Sequence, residues 1–309
     1  MRVYNKMRYS LAIDIGGSKV LVAIVSSKGD VSYSYRSELQ STINERKLID
    51  IIVKLSKKVL SECKYDIHSC GVSIPGLTNS DSGKWIFAPF SNIKNFNIGD
   101  ILAKKLNMNI YIENDVNACA IAEKTVGNCK EIENFLWMTI SNGIGGAIYI
   151  NNKIYKGAFS YAGEIGHITV VENGTSCGCG SNGCLEQYAS GASIEHIYYK
   201  ATNKKYSAKQ IAIFANEGDL ISKEIYNNVG KYIGLVLSHV INLLNLEKII
   251  LGGGVSQDYK LFKNALLKEF NRNIFLVANK NIIIEVSKLG YNASLIGAGL
   301  IALSREGLI

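Results

Sequence analysis

Residues 11–25 read LAIDIGGSKVLVAIV, and residues 135–150 read FLWMTISNGIGGAIYI. In each, an apolar, β-branched run reaches a turn bearing glycines, and an equally apolar run returns, which is the pattern of two strands joined by a hairpin. The first copy gives strands over 11–14 and 20–25 around Gly16-Gly17 and, past Ser27-Lys28-Gly29-Asp30, a third strand over 31–35. The second gives strands over 135–141 and 147–150 around Gly143-Ile144-Gly145-Gly146 and, past Asn151-Asn152, a third over 153–155. One three-stranded meander is used twice. Helices after each copy would cover its sheet, so the expectation is a duplicated α/β unit with a cleft between the copies.

Working outward, Leu48, Ile51, Ile52, Leu55 and Val59 recur at helical spacing and predict an amphipathic helix over 44–60. A strand over 70–74 ends at Pro75-Gly76, and an irregular stretch follows. Ile98, Ile101, Leu102 and Leu106 mark the next helix, and a strand over 109–113 runs into Asn114-Asp115 and an alanine-rich helix. The second half continues with a loop rich in Cys and Gly, then helices over 189–200, 208–215 and 220–246. A strand over 248–251 precedes Gly252-Gly253-Gly254. A late strand over 282–286 and a closing helix over 294–304 complete the chain, the helix packing back on the first domain. The domains expected are 1–117 with 292–309, and 118–291.

With 309 residues the chain exceeds the usual size of one core. At 47% apolar and 19% charged residues, without low-complexity tracts, it has the composition of a globular protein. The apolar run after the basic opening is broken at once by Asp14, Gly16 and Gly17, unlike a signal peptide. No stretch reaches the roughly 18 uninterrupted apolar residues that span a bilayer. The best window, 232–246, contains Ser238, His239, Asn242 and Asn245. A cytoplasmic protein without a membrane partner is expected. Its seven cysteines then read as thiols, with any cluster binding metal rather than forming bridges. The formal charge of +8 raises a nucleic-acid reading. The lysines are scattered, however, as Lys47, Lys54, Lys57 and Lys58 and as Lys200, Lys204 and Lys205, which describes a solvated surface better than a DNA-binding face.

Four segments carry chemistry. In Asp14-Ile15-Gly16-Gly17-Ser18-Lys19 the glycines let backbone N–H groups approach phosphate oxygens, Asp14 is suited to hold a hydrated Mg²⁺, and Lys19 to meet phosphate charge. The glycines lie between two strands rather than opening a helix, so this is neither a Walker loop nor a dinucleotide fingerprint. In isolation the signal is weak, and an ordinary glycine hairpin is the better account of it. Ser141-Asn142-Gly143-Ile144-Gly145-Gly146 is its counterpart, and Gly253 and Gly254 allow an adenine ring near the backbone.

In Glu113-Asn114-Asp115-Val116-Asn117 a strand delivers Asn114 and Asp115 to its C-terminal end, where open α/β sheets bind ligands. A plain N-cap role for Asp115 remains an equal alternative at this point. Finally, Glu164-Ile165-Gly166-His167 precedes Cys177-Gly178-Cys179 and Cys184-Leu185-Glu186. Three cysteines and one histidine fit a complete tetrahedral zinc site, which makes the metal structural rather than catalytic. Glu164 and Glu186, fixed by that loop, are carboxylate acceptors suited to sugar hydroxyls. The second ring nitrogen of His167 needs a partner of its own, and a sugar oxygen would serve. His68, His196 and His239 have no partners at ligand spacing, and Trp85 and Trp137 read as packing residues.

Together these motifs resemble the ROK family (repressors, open reading frames and kinases) of the actin/hexokinase-like superfamily, over essentially the whole chain. The pattern Asp-x-Gly-Gly-Thr-Lys is matched at 14–19 with Ser18 for Thr, the Pro-Gly turn at 75–76, and Glu-Asn-Asp-x-Asn at 113–117. Glu-x-Gly-His and Cys-x-Cys-Gly-x-x-Gly-Cys-Leu-Glu are matched at 164–167 and 177–186. The resemblance implies a two-domain actin-like ATPase fold of the duplicated ribonuclease H-like type. It further implies Asp115 as catalytic base, sugar contacts from Gly76, Asn114, Asp115, Glu164, His167 and Glu186, zinc on His167, Cys177, Cys179 and Cys184, and a homodimer. Ser141-Asn142 replaces the commoner Gly-Thr, Ala147 a frequent Gly, and Phe90-Ser91 after Ala88-Pro89 the Asn-Leu of glucokinase-like members.

The function expected is an ATP- and Mg²⁺-dependent hexose kinase acting on the 6-hydroxyl of glucose. Fructose, mannose, N-acetylmannosamine and N-acetylglucosamine are rival substrates, and a non-catalytic sugar sensor is the remaining alternative. A DNA-binding repressor is disfavoured at this stage, because only residues 1–10 precede the first strand.

Overall fold

In a computed structural model, which describes residues 7–40, 43–87, 93–279 and 281–309, both glycine turns join antiparallel strands. β1 (Tyr9–Ile15) and β2 (Lys19–Ser26) pair continuously, Asp14 facing Leu21 and Ile15 facing Val20, and β3 (Val31–Glu38) lies on the outside of β2. Leu11, Ala12 and Ile13 are all buried, because β1 is covered on both faces, and so it reads as an unbroken apolar run rather than an alternating one.

α1 (Glu45–Glu62) starts where the Asn44 side chain accepts from the Lys47 N–H and buries Leu48, Ile49, Ile52 and Val59. β4 (Ser69–Ile74) then runs parallel to β1. The stretch after Gly76, read from sequence as irregular, forms a small antiparallel sheet of β5 (Leu77–Asn79), β6 (Lys84–Phe87) and β7 (Lys94–Phe96). Its anchor is Trp85, fully buried, whose Nε1–H donates to the Pro75 carbonyl at 2.9 Å. α2 (Ile98–Leu106), β8 (Asn109–Asn114) and α3 (Asp115–Thr125) follow, β8 parallel to β4.

The pattern restarts with β9 (Phe135–Ile140), β10 (Ile144–Ile150) and β11 (Lys153–Ile154). Past the cysteine loop come α4 (Glu186–Ala189) and α5 (Gly191–Thr202), separated at Ser190, whose side chain caps α5 by accepting from the Ser193 N–H. The helix expected over 189–200 is α5, beginning two residues later, and the short α4 precedes it. α6 (Ala208–Glu217), α7 (Leu220–Leu244) and β12 (Lys248–Gly252) follow. α8 (Tyr259–Asn273) was absent from the sequence expectation, although Phe262, Leu266 and Phe270, all buried, recur every four residues. β13 (Ile283–Val286) and α9 (Ala293–Arg305) end the chain.

The strand orders β3-β2-β1-β4-β8 and β11-β10-β9-β12-β13 are the same, two antiparallel pairings followed by two parallel ones. The two halves thus repeat one topology. Two compact units result: Met1–Glu131, Gly157–Tyr161 and Tyr291–Ile309 in the first, Ile132–Lys156 and Ala162–Gly290 in the second.

The sequence boundary between 117 and 118 falls inside α3. That helix stays with the first unit because α9 lies directly on it, Gly297 against the Ala118 backbone; a side chain at Gly297 would not fit. Gly71 of β4 meets the Ala298 carbonyl in the same way, so α9 sits unusually close to the first sheet. Each unit has its own apolar core, one around Ile13, Val22, Ile52 and Val72, the other around Met138, Ile194, Val229 and Leu251. Among the described residues, no helix is long and apolar enough to cross a membrane.

Candidate functional site

In the first unit the candidate residues collect at the C-terminal ends of β1, β4 and β8. Asp14, Ser73 and Glu113 are successive partners across the sheet, and Asn114 pairs with Ile74. The chain turns into α3 at Asn114, whose Oδ1 accepts from the Val116 and Asn117 N–H groups at 2.9 and 3.2 Å. Asn114 is the N-cap and Asp115 the first helical residue, its Oδ1 also accepting from the Val116 N–H at 3.0 Å. The positive end of α3 favours an ionised carboxylate there.

Asn114 also donates from Nδ2 to the Gly76 carbonyl at 3.0 Å, tying the Pro75-Gly76 turn to the helix start. Glu113, buried, accepts from the Asn114 N–H and from Asn117 Nδ2 and holds the same turn from behind. Of the proposed sugar contacts, Gly76 and Asn114 are thus joined to each other, and most of the Asn114 side chain is engaged in holding backbone.

Gly16-Gly17-Ser18 forms the first hairpin turn, closed by the Gly16 N–H donating to the Lys19 carbonyl at 2.8 Å. Gly17, Ser18 and Lys19 are exposed. Asp14, half-buried beside the turn, is pushed above the usual carboxylate pKa by burial, against hydrogen bonds from Ser294 and Ser73 and the charge of Lys19. The Cys119 thiol, one turn along α3 from Asp115, is raised well above its ordinary value by burial first, then by the charges of Asp115 and Asp14. By strand register, the hairpin carboxylate and the helix-start carboxylate lie at the same end of this sheet.

In the second unit the counterpart turn is 141–143, closed by the Ser141 N–H donating to the Gly143 carbonyl. The N-terminus of α5 supports it, the Gly191 N–H donating to the Ser141 carbonyl at 2.7 Å. Ser141 and Asn142 are exposed. Gly253, in the left-handed region at φ +87°, lies against the backbone of Ile140, so the Gly253-Gly254 segment adjoins this turn.

The Glu164–His167 segment lies on β10 through two close approaches, Gly163 to the Gly146 carbonyl and Gly166 to the Ile144 carbonyl. Glu186 reaches the same strand from α4, its Oε2 accepting from the Ile144 N–H at 2.8 Å. Partial burial raises the Glu164 pKa; His167 opposes this and Glu186 adds to it. Glu164, His167, Glu186 and the glycine turn therefore form one cluster.

His167, Cys177, Cys179 and Cys184 bring their ligand atoms within 4.8 Å of one another. Cys177 Sγ to His167 Nδ1 and Cys179 Sγ to Cys184 Sγ are both 3.6 Å. A tetrahedral zinc with ordinary Zn–S and Zn–N lengths needs ligand atoms about 3.5–3.8 Å apart, so the set fits that ion with every position filled by protein. Burial, then the Cys179 and Cys177 thiols, push the Cys184 thiol up to about 12. His167 turns Nδ1 to the cysteines and Nε2 toward Glu164, 3.9 Å away. The partner expected from sequence for that second nitrogen was a sugar oxygen; here a carboxylate stands on that side.

The family model described as ROK family matches residues 10–305. The chain belongs to the ROK family. Among ROK relatives, it is 30% identical to the xylose repressor of Bacillus subtilis, over 98% of this chain and 79% of that protein. It is 27% identical to the glucokinase of Streptomyces coelicolor, over 96% and 98% of the two chains. A ROK glucokinase from Streptomyces griseus, solved with glucose and AMPPNP, superimposes with a TM-score of 0.85 at 26% identity, covering 96% of this chain and all of that one. The fold is thus the two-domain actin-like fold of ROK glucokinases. Of the departures from the ROK pattern, Asn142 stands exposed at the turn, while Ala147 is buried opposite Trp137 in β10 and belongs to packing. Ala88-Pro89 and Phe90-Ser91 lie outside the described residues.

Proposed function

We propose that this chain is a hexose kinase that passes the terminal phosphoryl group of ATP to a sugar hydroxyl, the 6-hydroxyl of glucose first among candidates. The observation that carries the reading is Asp115: it is the first residue of α3, after the Asn114 cap, on the sheet end that also carries Asp14 and the Gly16-Gly17 turn. The transition state of phosphoryl transfer is loose, so the base orients the hydroxyl and takes its proton late.

Each unit contributes a set of residues. From the first, Asp115 accepts the proton, Gly76 and Asn114 contact the sugar, and Gly16, Gly17, Ser18 and Lys19 meet phosphate. From the second, Glu164 and Glu186 accept from sugar hydroxyls and His167 donates from Nε2 to a sugar oxygen, Asn142, Gly143, Gly145 and Gly146 meet phosphate, and Gly253 and Gly254 face the adenosine. Asp14 would hold a hydrated Mg²⁺, which when bound neutralises charge on the phosphates. His167, Cys177, Cys179 and Cys184 would hold zinc, which fixes the loop carrying Glu186 and takes no part in the transfer. The kinase reading includes a homodimer and no DNA partner.

The 30% identity to a xylose repressor favours a second reading, a sugar-responsive regulator that binds without turnover. One assay separates them: ADP release with ATP, Mg²⁺ and a panel of glucose, mannose, fructose, the two N-acetylhexosamines and xylose. Asp115→Asn should keep sugar and nucleotide binding and lose roughly 10²–10⁴-fold in kcat, the usual worth of a positioned base. Sugar binding by the wild type with no ADP release from any member of the panel decides for the regulator, and wild-type turnover by Asp115→Asn removes the assigned mechanism.

A further inference from the structure

Two hydroxyls that no motif includes meet on Asp14. Ser73, fully buried in β4, is the direct register partner of Asp14 in β1, so the two side chains leave the same face of the sheet. α9 crosses that face. Ser10, four residues before Asp14, donates to the Gly299 carbonyl at 2.8 Å, and Gly71, two before Ser73, meets Ala298. The helix start is thereby brought over the carboxylate, and Ser294 Oγ donates to Asp14 Oδ1 at 2.7 Å. Ser73 Oγ is in turn hydrogen-bonded to Ser294 Oγ.

We propose that Ser294, backed by Ser73, is the positioning residue that fixes the Asp14 carboxylate in one orientation for its work on the cation of a bound nucleotide. An ionised carboxylate only accepts, and a serine hydroxyl has one hydrogen. Ser294 gives its hydrogen to Asp14, and Ser73 has one hydrogen to give, shared between Ser294 Oγ and the same carboxylate. The first turn of α9 adds its positive end on the same side. Burial opposes the charge of Asp14, and these donors offset that opposition. The other titratable groups around it are Lys19 on β2, which favours the ionised form, and on α3 Asp115 and Cys119, whose thiol feels both carboxylates. What Asp14 serves rests on the kinase reading; how it is held does not.

The test is Mg²⁺-dependent ADP binding by the full chain, which needs no turnover. Ser294→Thr and Ser294→Val differ only in hydroxyl against methyl. A hydrogen bond to a charged group predicts that Ser294→Val raises the Mg²⁺ needed for half-maximal ADP binding on the order of tenfold. Ser294→Thr should restore the wild-type Mg²⁺ requirement, with glucose affinity unchanged throughout. Should Ser294→Val fold poorly, Ser73→Ala is expected to move the Mg²⁺ requirement the same way by a smaller factor. Equal behaviour of the Thr and Val variants, or a wild type that binds no ADP with Mg²⁺ present, overturns the proposal. ADP binding that shifts as described in a protein without kinase turnover sinks the kinase reading and leaves this one standing.

Discussion

Glu186 offers the sharpest test of how the second unit is built. Its Oε2 accepts from the Ile144 N–H at 2.8 Å, and Gly143 is packed against the same carboxylate. Ile144 is buried, so truncating Glu186 to Ala leaves a backbone donor with its charged partner gone. Hydrogen bonds to charged groups contribute about 1.5–3 kcal/mol, and each 1.4 kcal/mol is a factor of ten, so the expected effect is on the order of 10- to 100-fold. On the kinase reading proposed above, it should fall on nucleotide binding through the 141–143 turn as well as on sugar binding, because the same carboxylate holds the turn and is assigned to the sugar. Glu186→Gln keeps an oxygen to accept from Ile144 while removing the charge. The assay is titration of a fluorescent ADP analogue and, separately, of glucose. Glu186→Ala should weaken both ligands, and Glu186→Gln chiefly glucose. If Glu186→Ala weakens glucose while nucleotide affinity stays at the wild-type value, the link between α4 and the turn is not as argued.

Metal analysis should find about one zinc per chain, held by the complete Cys₃His set; Cys179→Ser should lower both zinc content and melting temperature, and metal-free protein of wild-type stability would refute a structural ion. Asp219 gives a pH dependence whose sign is fixed: the Ser222 side chain and N–H hold its carboxyl below the usual value, so its contribution is present above the unfolded pKa near 3.8 and lost as pH falls through the lower folded one. The urea midpoint of Asp219→Asn should therefore lie below that of the wild type at pH 7, and the gap should narrow as the pH falls below about 3.8.

The duplicated meander was legible because hairpin turns demand glycine and strands covered on both faces demand unbroken apolar runs, so Gly16-Gly17 and Gly143 stand out against their flanks. The Cys₃His set was legible for another reason: its four ligands lie on one loop, and local spacing carries the geometry. Helix α8 was readable from Phe262, Leu266 and Phe270 and was passed over. The small sheet around Trp85 was not readable, since its strands are three or four residues long and depend on a tryptophan packed under Pro75. Least legible were contacts between distant positions. Ser73 and Ser294 are separated by 221 residues, and a serine at a strand end or in a first helical turn belongs to no pattern until the fold superposes them. The bond from Ile144 to Glu186 is of the same kind, a side chain meeting a backbone N–H 42 residues away.

The placement of α9 has a consequence for biosynthesis. The ribosome releases β1, β4 and α3 early, yet the helix that covers them emerges only after Ile132–Gly290 has been translated, when that later segment has all of its own strands. The middle of the polypeptide can mature first, while the nascent first sheet waits with Gly71 and Ser73 uncovered. A stop codon that removes only α9 would therefore harm the part of the protein made earliest.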